Sequence, residues 1–243
     1  MKKILSFSAL VLFLLSVLTV FDYAETVDDI LKKMIEAQGG RTVLEGIKDS
    51  TYSGSMEMIM MGISGSATMY QKEPNMMRMD AEVMGMTFTQ AYDGQTAWMT
   101  NPQTGATEEM PENQAEYAKR EAMGYSSILN PEKFGITFTY KGKEKIGEKE
   151  YFILEQLFSD GYKMTNYVDP ETYLIYKTKA MSLNQMGVEV ENETFPSDYK
   201  KVEGIMVPHT ITIYQDGEEY MKITLTDIRF NSGLEDSFFK MTE

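Results

Sequence analysis

The sequence predicts a mainly β domain of the α+β class, in which about a dozen antiparallel strands follow two short helices. From Ser50 onward, apolar side chains recur with a period of two, which is the pattern of half-buried strands. Asp93-Gly94 and Asp216-Gly217 are two-residue hairpin turns that join neighbouring strands. No repeat of fixed length and no linker divides the chain, so residues 25–243 are expected to form one domain.

Helical spacing is confined to the start and the middle of the chain. The first helix is predicted from a set of apolar residues that ends before Gly39-Gly40, namely Val27, Ile30, Leu31, Met34 and Ile35. A second helix is predicted over 41–47 and a third over 111–123, where a proline supplies the start. Residues 124–134 are a loop or a further helical turn, and residues 234–241 are a short terminal helix or an edge segment.

The period of two defines the strands, and turn residues bound them. Gly147-Glu148 and Asp169-Pro170-Glu171-Thr172 are among these turn signals. The predicted strands cover 50–61, 63–73, 76–83, 86–93, 95–100, 136–147, 149–158, 162–169, 173–183, 187–198, 205–215 and 218–230.

The first 24 residues are predicted to be an export signal. Lys2 and Lys3 form a basic start, and residues 4–20 are almost entirely apolar, as in the hydrophobic region of a signal peptide. Cleavage is expected after Ala24. An uncleaved membrane anchor is the alternative, because Asp22 stands where a small residue is usual.

The composition argues against several classes of site and partner. The absence of cysteine excludes disulfides, a thiol nucleophile and a cysteine metal site. A net charge of −14 makes nucleic acid and anionic lipid surfaces poor partners. His209 is the single histidine, and the chain has no phosphate-binding glycine loop, so the usual catalytic triads and zinc sites cannot be assembled. We therefore expect a protein that is not an enzyme and has no metal or other cofactor.

Methionine is the unusual component of the predicted strands. Thirteen of the 21 methionines lie between Met56 and Met123, and many alternate with other residues, as in Met77-Arg78-Met79. Alternate residues of a strand share one face of a sheet. Methionine is flexible and polarizable, which suits surfaces that accept apolar partners of variable shape. The pattern predicts either a methionine-rich core or an apolar binding surface.

If the surface is a binding cavity, one parity of each early strand should line it. The early strands would contribute Met56, Met58, Met60, Met69, Met77, Met79, Met86, Phe88 and Met99. The later strands would add Phe138, Leu154 and Ile213.

Short motifs occur in a fixed order over nearly the whole chain after the signal. They are Gly39-Gly40, Asp49-Ser50-Thr51-Tyr52-Ser53-Gly54, Pro74-Asn75-Met76-Met77-Arg78-Met79, Tyr92-Asp93-Gly94-Gln95-Thr96-Ala97-Trp98, Val168-Asp169-Pro170-Glu171-Thr172 and Asp198-Tyr199-Lys200-Lys201-Val202-Glu203-Gly204-Ile205-Met206-Val207-Pro208. This ordered set resembles the outer-membrane lipoprotein-sorting proteins, the LolA/LolB-like periplasmic carriers.

The resemblance implies an incomplete antiparallel β-barrel of about 11–12 strands, with helices covering the concave face. It also implies a periplasmic carrier of lipids or lipoprotein acyl chains, working as a monomer with transport components of the inner and outer membranes. Carriers of this kind are expected to use a specific arginine or an exposed apolar loop. Arg78, beside the proline motif, is either that arginine or a simple exposed side chain.

The helices at the start and in the middle of the chain are the predicted lid over the concave face. The lid residues would be Val27, Leu31, Met34 and Ile35, with Tyr117 and Met123 beside them. Two other functions stay open. Met-x-Met pairs can bind Cu(I) through their thioethers, and the methionines of a structural envelope protein would be a plain core.

Overall fold

The protein is represented by a computed structural model that describes residues 25–101, 104–183 and 188–242. The predicted export signal, residues 1–24, lies outside the described residues, as does part of the predicted turn at 101–105. No helix in the described ranges is long and apolar enough to cross a membrane.

Four α-helices and thirteen strands form within the described ranges. The helices are Val27–Gln38 (α1), Arg41–Glu45 (α2), Glu112–Glu121 (α3) and Tyr125–Leu129 (α4). The strands are Asp49–Met58 (β1), Ile63–Lys72 (β2), Met76–Val83 (β3), Met86–Tyr92 (β4), Ala97–Thr100 (β5), Thr107–Glu109 (β6), Thr137–Ile146 (β7), Lys149–Leu157 (β8), Lys163–Val168 (β9), Ile175–Leu183 (β10), Glu189–Val202 (β11), Ile205–Gln215 (β12) and Glu218–Phe230 (β13).

All thirteen strands belong to one antiparallel sheet in the order β6-β5-β4-β3-β2-β1-β13-β12-β11-β10-β9-β8-β7. Hairpins place sequence neighbours side by side, and the pairing of β1 with β13 joins the two halves of the chain. β6 and β7 remain at opposite edges, so the sheet is not closed. The predicted mainly β fold, an incomplete barrel, is confirmed.

One predicted strand extends too far, and one strand was not predicted. β1 ends at Met58 and not at 61, because Ile59–Met61 form a 3₁₀ helix that ends on Gly62 in the left-handed region, with φ 63°. Met60 therefore lies in a turn and is 61% exposed. The second error is the missed strand β6, which has only 3 residues, too few to show a period of two.

α1 is fixed to the sheet by its apolar side. Thr26 and Asp29 form a capping box at its start. Ile30 and Met34, which are 0% and 2% exposed, pack against Phe152, Leu154 and other residues of β8 and β9. This contact makes α1 part of a hydrophobic core cluster that it shares with the sheet.

The segment after β13 crosses the opposite face of the sheet. A 3₁₀ helix at Asp236–Phe239 lies within the predicted terminal segment 234–241. Phe239 is fully buried, and its carbonyl oxygen accepts a hydrogen bond of 2.8 Å from the Trp98 indole nitrogen. The terminal segment thus covers the outer side of the early strands.

Candidate functional site

The helices define which face of the sheet is the inner one. Directly paired residues of antiparallel strands point to the same face, so the strand register traces each face across the sheet. One row on the helix-bearing face runs from Tyr52 through Met69, Met79 and Gln90 to Met99. We call this face the inner face, and three of its five members in this row are methionines.

Eleven of the twelve predicted lining residues share the inner face by this register, and Met60 does not. The eleven are Met56, Met58, Met69, Met77, Met79, Met86, Phe88, Met99, Phe138, Leu154 and Ile213. The sequence pattern thus placed these side chains on one surface, and their role in binding is a proposal developed below.

Two of these residues belong to the core beneath the helices. Met77 is 1% exposed and packs with Tyr92 and Ala118 under α3. Leu154 is 0% exposed and packs under α1. Both are already in contact with protein on all sides, so they are not available to a ligand in this conformation.

Other inner-face residues are only partly buried. Met58, Met69, Met79, Phe88 and Met99 all fall in this class. Met58 and Phe88 pack beside a small cluster whose buried residues are Met56, Ala81 and Val83, and every member of this cluster comes from a strand. The apolar surface of the early strands is therefore built by the sheet itself and stays open to a partner.

The inner face changes character in the later strands. Thr194 of β11 is paired with Thr178 of β10, Thr178 with Asn166 of β9, and Asn166 with Leu154 of β8. Gln156, two residues after Leu154, accepts a hydrogen bond of 3.2 Å from the Asn166 amide. This wall of amides and hydroxyls was missed in the sequence, because polar residues on both faces of a strand leave no period-two signal.

The predicted lid residues of α1 lie where the helix meets the sheet. Val27 and Leu31 are partly buried against the cluster around Ile30 and Met34, and Ile35 packs with the residues of α2 and β12. Ile30, which was not among the predicted lid residues, is more deeply buried than any of them.

α3 is held more weakly than α1. It packs on the sheet mainly through alanines, of which Ala118 and Ala122 are buried, and small side chains bury little apolar area. The Gln71 amide donates to the carbonyl oxygen of Glu121, and Arg120 forms an ion pair with Asp160 in the β8–β9 turn. α3 therefore bridges from the early strands to the late ones.

The remaining lid residues flank this bridge. Tyr117 is 47% exposed on α3, and Met123 follows the helix, partly buried. Burial raises the pKa of the Glu121 carboxyl, which Arg120 only partly offsets, and the neighbouring Glu121 carboxylate raises the pKa of the Tyr117 hydroxyl. The surroundings of α3 thus disfavour additional negative charge.

Arg78 lies on the outer face, opposite to Met77 and Met79. Its guanidinium donates to Asp80 at 3.0 Å and to the Phe238 carbonyl oxygen at 3.0 Å, and it stacks 4.5 Å from the Phe238 ring centre. Arg78 is therefore not a simple exposed side chain, because its side chain is 24% exposed and it fastens the terminal segment.

Exposed apolar side chains do occur at hairpin tips. Ile59, Met60 and Met61 lie in the β1–β2 turn, and Met84 lies in the β3–β4 turn. Both turns are at the same end of the sheet, beyond the open apolar surface. Met86, a predicted lining residue at the start of β4 beside this end, is 51% exposed.

The described residues offer no conventional metal centre. Among them, no three His, Asp or Glu side chains lie close enough together to hold a metal ion. A ring nitrogen of His209 lies 3.1 Å from the Val207 carbonyl oxygen, two residues away in the same strand. The expectation of a protein without catalytic chemistry stays a prediction.

The sequence matches no protein-family model and no curated protein sequence. Solved structures are similar in fold. A LolA superfamily protein from Nitrosomonas europaea superposes with a TM-score of 0.61 at 14% identity, over 90% of this chain and 99% of that one. A DUF1329 family protein from Desulfovibrio piger also gives 0.61 at 14% identity, over 89% and 98%. A putative outer membrane lipoprotein-sorting protein domain from Vibrio parahaemolyticus gives 0.56 at 17% identity, over 87% and 94%. The chain therefore has the incomplete-barrel fold of LolA-like proteins.

Proposed function

We propose that this protein is a periplasmic carrier that binds the acyl chains of lipids or lipid-modified proteins on the inner face. The observation that carries the proposal is the set of partly buried methionines Met69, Met79 and Met99, which share one face on strands β2, β3 and β5. A monomer rarely leaves such a contiguous apolar surface open without a partner to cover it. The similar fold of a lipoprotein-sorting protein domain supports the same reading.

An acyl chain satisfies this surface energetically. Each buried methylene contributes roughly 0.8 kcal/mol, so a chain of about ten carbons gains roughly 8 kcal/mol before the costs of ordering are subtracted. No polar contact is then needed for useful affinity. Flexible methionines accommodate chains of different shape, at some cost in selectivity.

The proposal also specifies where the protein acts and with which partners. Residues 25–243 act as a monomer after removal of the export signal, and the cargo passes between transport components of the inner and outer membranes. α3 is the element that opens for cargo, since its alanine contacts, the Gln71–Glu121 hydrogen bond and the contacts of Arg120 with Asp160 and Tyr162 are easier to separate than the core under α1.

Native mass spectrometry of the purified protein tests the proposal. The wild-type protein should carry co-purified lipid, and Met58→Glu with Met79→Glu should abolish it, because a carboxylate buried against an acyl chain is strongly unfavourable. The matched control is Met60→Glu with Met84→Glu, which places the same change at exposed turns.

The result separates the competing functions. Bound copper in place of lipid would support thioether coordination by Met69 and Met79, which face each other across β2 and β3. Neither lipid nor copper would support a structural envelope protein. Equal lipid content in both folded double variants would refute acyl binding on the inner face.

A further inference from the structure

Charge is segregated between the two faces of the late strands. Among the described residues, no Asp, Glu, Lys or Arg occupies an inner-face position of four late strands. These strands are β8 from Phe152 onward, β9, β10, and β11 up to Pro196. The polar residues there are Gln156, Asn166, Thr178, Ser182, Asn192 and Thr194. All six are neutral.

The alternate positions of the same strands carry the charges. On the outer face, Lys177 lies 2.5 Å from Glu193, and Lys179 lies 2.8 Å from Glu191. The side chains of Lys179 and Glu191 are 37% and 40% exposed, and a solvated surface readily accepts such an ion pair. Since β10 and β11 carry these charges at outer positions and none at the described inner positions between them, the inner wall is selectively uncharged.

This wall has hydrogen-bonding capacity that the described residues leave unused. The hydroxyls of Thr178 and Thr194 have no hydrogen-bond partner among the described residues, and both side chains are partly exposed on the inner face. The Asn192 amide donates to Ser182, but its carbonyl oxygen is buried without a partner in the described chain. Buried polar atoms are normally paired, so an acceptor left free next to open hydroxyls points to a polar ligand group.

The opposite wall is apolar. Met58 is paired with Met221, Met221 with Ile213, and Ile213 with Thr194, so the change from thioether and alkyl groups to hydroxyls occurs between β12 and β11. A ligand lying across this boundary meets apolar contacts on one side and neutral donors and acceptors on the other.

We propose that the ligand is a lipid whose headgroup is uncharged and rich in hydrogen-bonding groups, such as hydroxyls or amides. The inference rests on the proposed acyl-binding function. Its acyl chain lies along the methionines of β1–β5, and its headgroup lies against Thr178, Thr194 and Asn192. An anionic headgroup would lose its hydration without gaining a cation on this wall, which is unfavourable, and the net charge of −14 adds repulsion.

Competition binding with three ligands of one chain length tests the headgroup. The full chain, purified after export, is loaded with the neutral dye N-phenyl-1-naphthylamine, and its displacement is followed by fluorescence at neutral pH. The competitors are monolauroylglycerol, which is uncharged with free hydroxyls, the laurate anion, and methyl laurate, which has no hydroxyl. Monolauroylglycerol is expected to displace the dye at a concentration about tenfold lower than laurate or methyl laurate.

A double variant on the neutral wall tests the contact residues. The double variant Thr178→Val with Thr194→Val removes both hydroxyls at nearly constant shape. It should weaken the binding of monolauroylglycerol by about tenfold, since each lost hydrogen bond lowers the affinity by roughly threefold to tenfold. Methyl laurate should bind as before. The control is Thr165→Val with Thr212→Val on the outer face of neighbouring strands, which should change neither ligand.

Each outcome has one meaning. Laurate binding as tightly as monolauroylglycerol, or an unchanged preference in the inner-face variant, overturns the headgroup assignment but leaves acyl binding intact. Failure of the dye and of all three competitors to bind overturns acyl binding itself and the headgroup assignment with it.

Discussion

Asp49 joins the start of β1 to the segment that follows β13, and its replacement by asparagine tests how that segment is held. The Asp49 carboxylate is 3% exposed. One oxygen accepts from the Ser232 backbone and hydroxyl at 2.7 and 2.8 Å, and the other accepts from the Gly233 and Leu234 N–H groups at 2.9 and 3.3 Å. Asparagine has nearly the same shape but keeps only one acceptor oxygen.

The expected loss of stability follows from the hydrogen bonds that the substitution removes. In the variant, the NH₂ group of the asparagine would face two backbone N–H groups that donate to a carboxylate oxygen in the wild-type protein. Two charge-assisted hydrogen bonds are then lost, and at least one buried N–H group has no acceptor. Hydrogen bonds to charged groups contribute about 1.5–3 kcal/mol, and the bond of 3.3 Å to Leu234 is the weaker of the two. We therefore expect Asp49→Asn to lower the free energy of unfolding by about 3 kcal/mol at neutral pH.

The same carboxylate makes stability depend on pH. Burial alone would raise the pKa of Asp49, but the hydrogen bonds from Ser232, Gly233 and Leu234 outweigh it and hold the pKa below its ordinary value of 3.8. A carboxyl with a lowered folded pKa stabilises the fold fully above its unfolded pKa. This contribution is lost as the pH falls below 3.8 toward the folded pKa.

Urea unfolding followed by circular dichroism measures both effects. At neutral pH the Asp49→Asn midpoint should fall clearly, and below pH 3.8 the wild-type protein and the variant should converge. Asp227→Asn is the control, because the Asp227 side chain is 49% exposed in its ion pair with Arg229, and such pairs contribute little. Equal midpoints for Asp49→Asn and the wild-type protein at neutral pH would refute the argument.

Two further predictions concern α3 and the terminal segment. Arg120→Ala removes the ion pair with Asp160. Amide hydrogen exchange should therefore accelerate in α3, while α1 and the central strands keep their protection. Unchanged exchange in α3 would contradict its role as the moving element. Trp98→Phe removes the hydrogen bond to the Phe239 carbonyl oxygen. The variant should lower the free energy of unfolding in urea by about 1–3 kcal/mol and speed proteolysis of the terminal segment. An unchanged cleavage rate would show that this contact does not hold the terminal segment.

The predictions that succeeded depend on local patterns. Strands β3, β12 and β13 have the predicted bounds, since alternation and a hairpin turn such as Asp216-Gly217 specify them within a few residues. The shared face of Met69, Met79 and Met99 follows from the same alternation once the hairpins are known. These features require no knowledge of distant contacts.

The features that the sequence did not predict depend on residues far apart in the chain. Arg78 is partly buried and not simply exposed because Phe238, 160 residues later, packs over it. Thr178 and Thr194 become a neutral wall opposite methionines only because β12 and β13 lie between β11 and β1 in the sheet. A polar residue in a single strand does not indicate which face of that strand will be enclosed.

The sequence by itself determined the class of fold, the order of hairpins and the apolar parity of the early strands, because these arise from interactions between near neighbours. Tertiary structure alone decided which inner-face residues are core and which stay open, since α1 and α3 bury Leu154 and Met77 and leave Met58, Met69 and Met79 partly exposed. Burial depends on what packs above a side chain, and that packing element lies elsewhere in the chain.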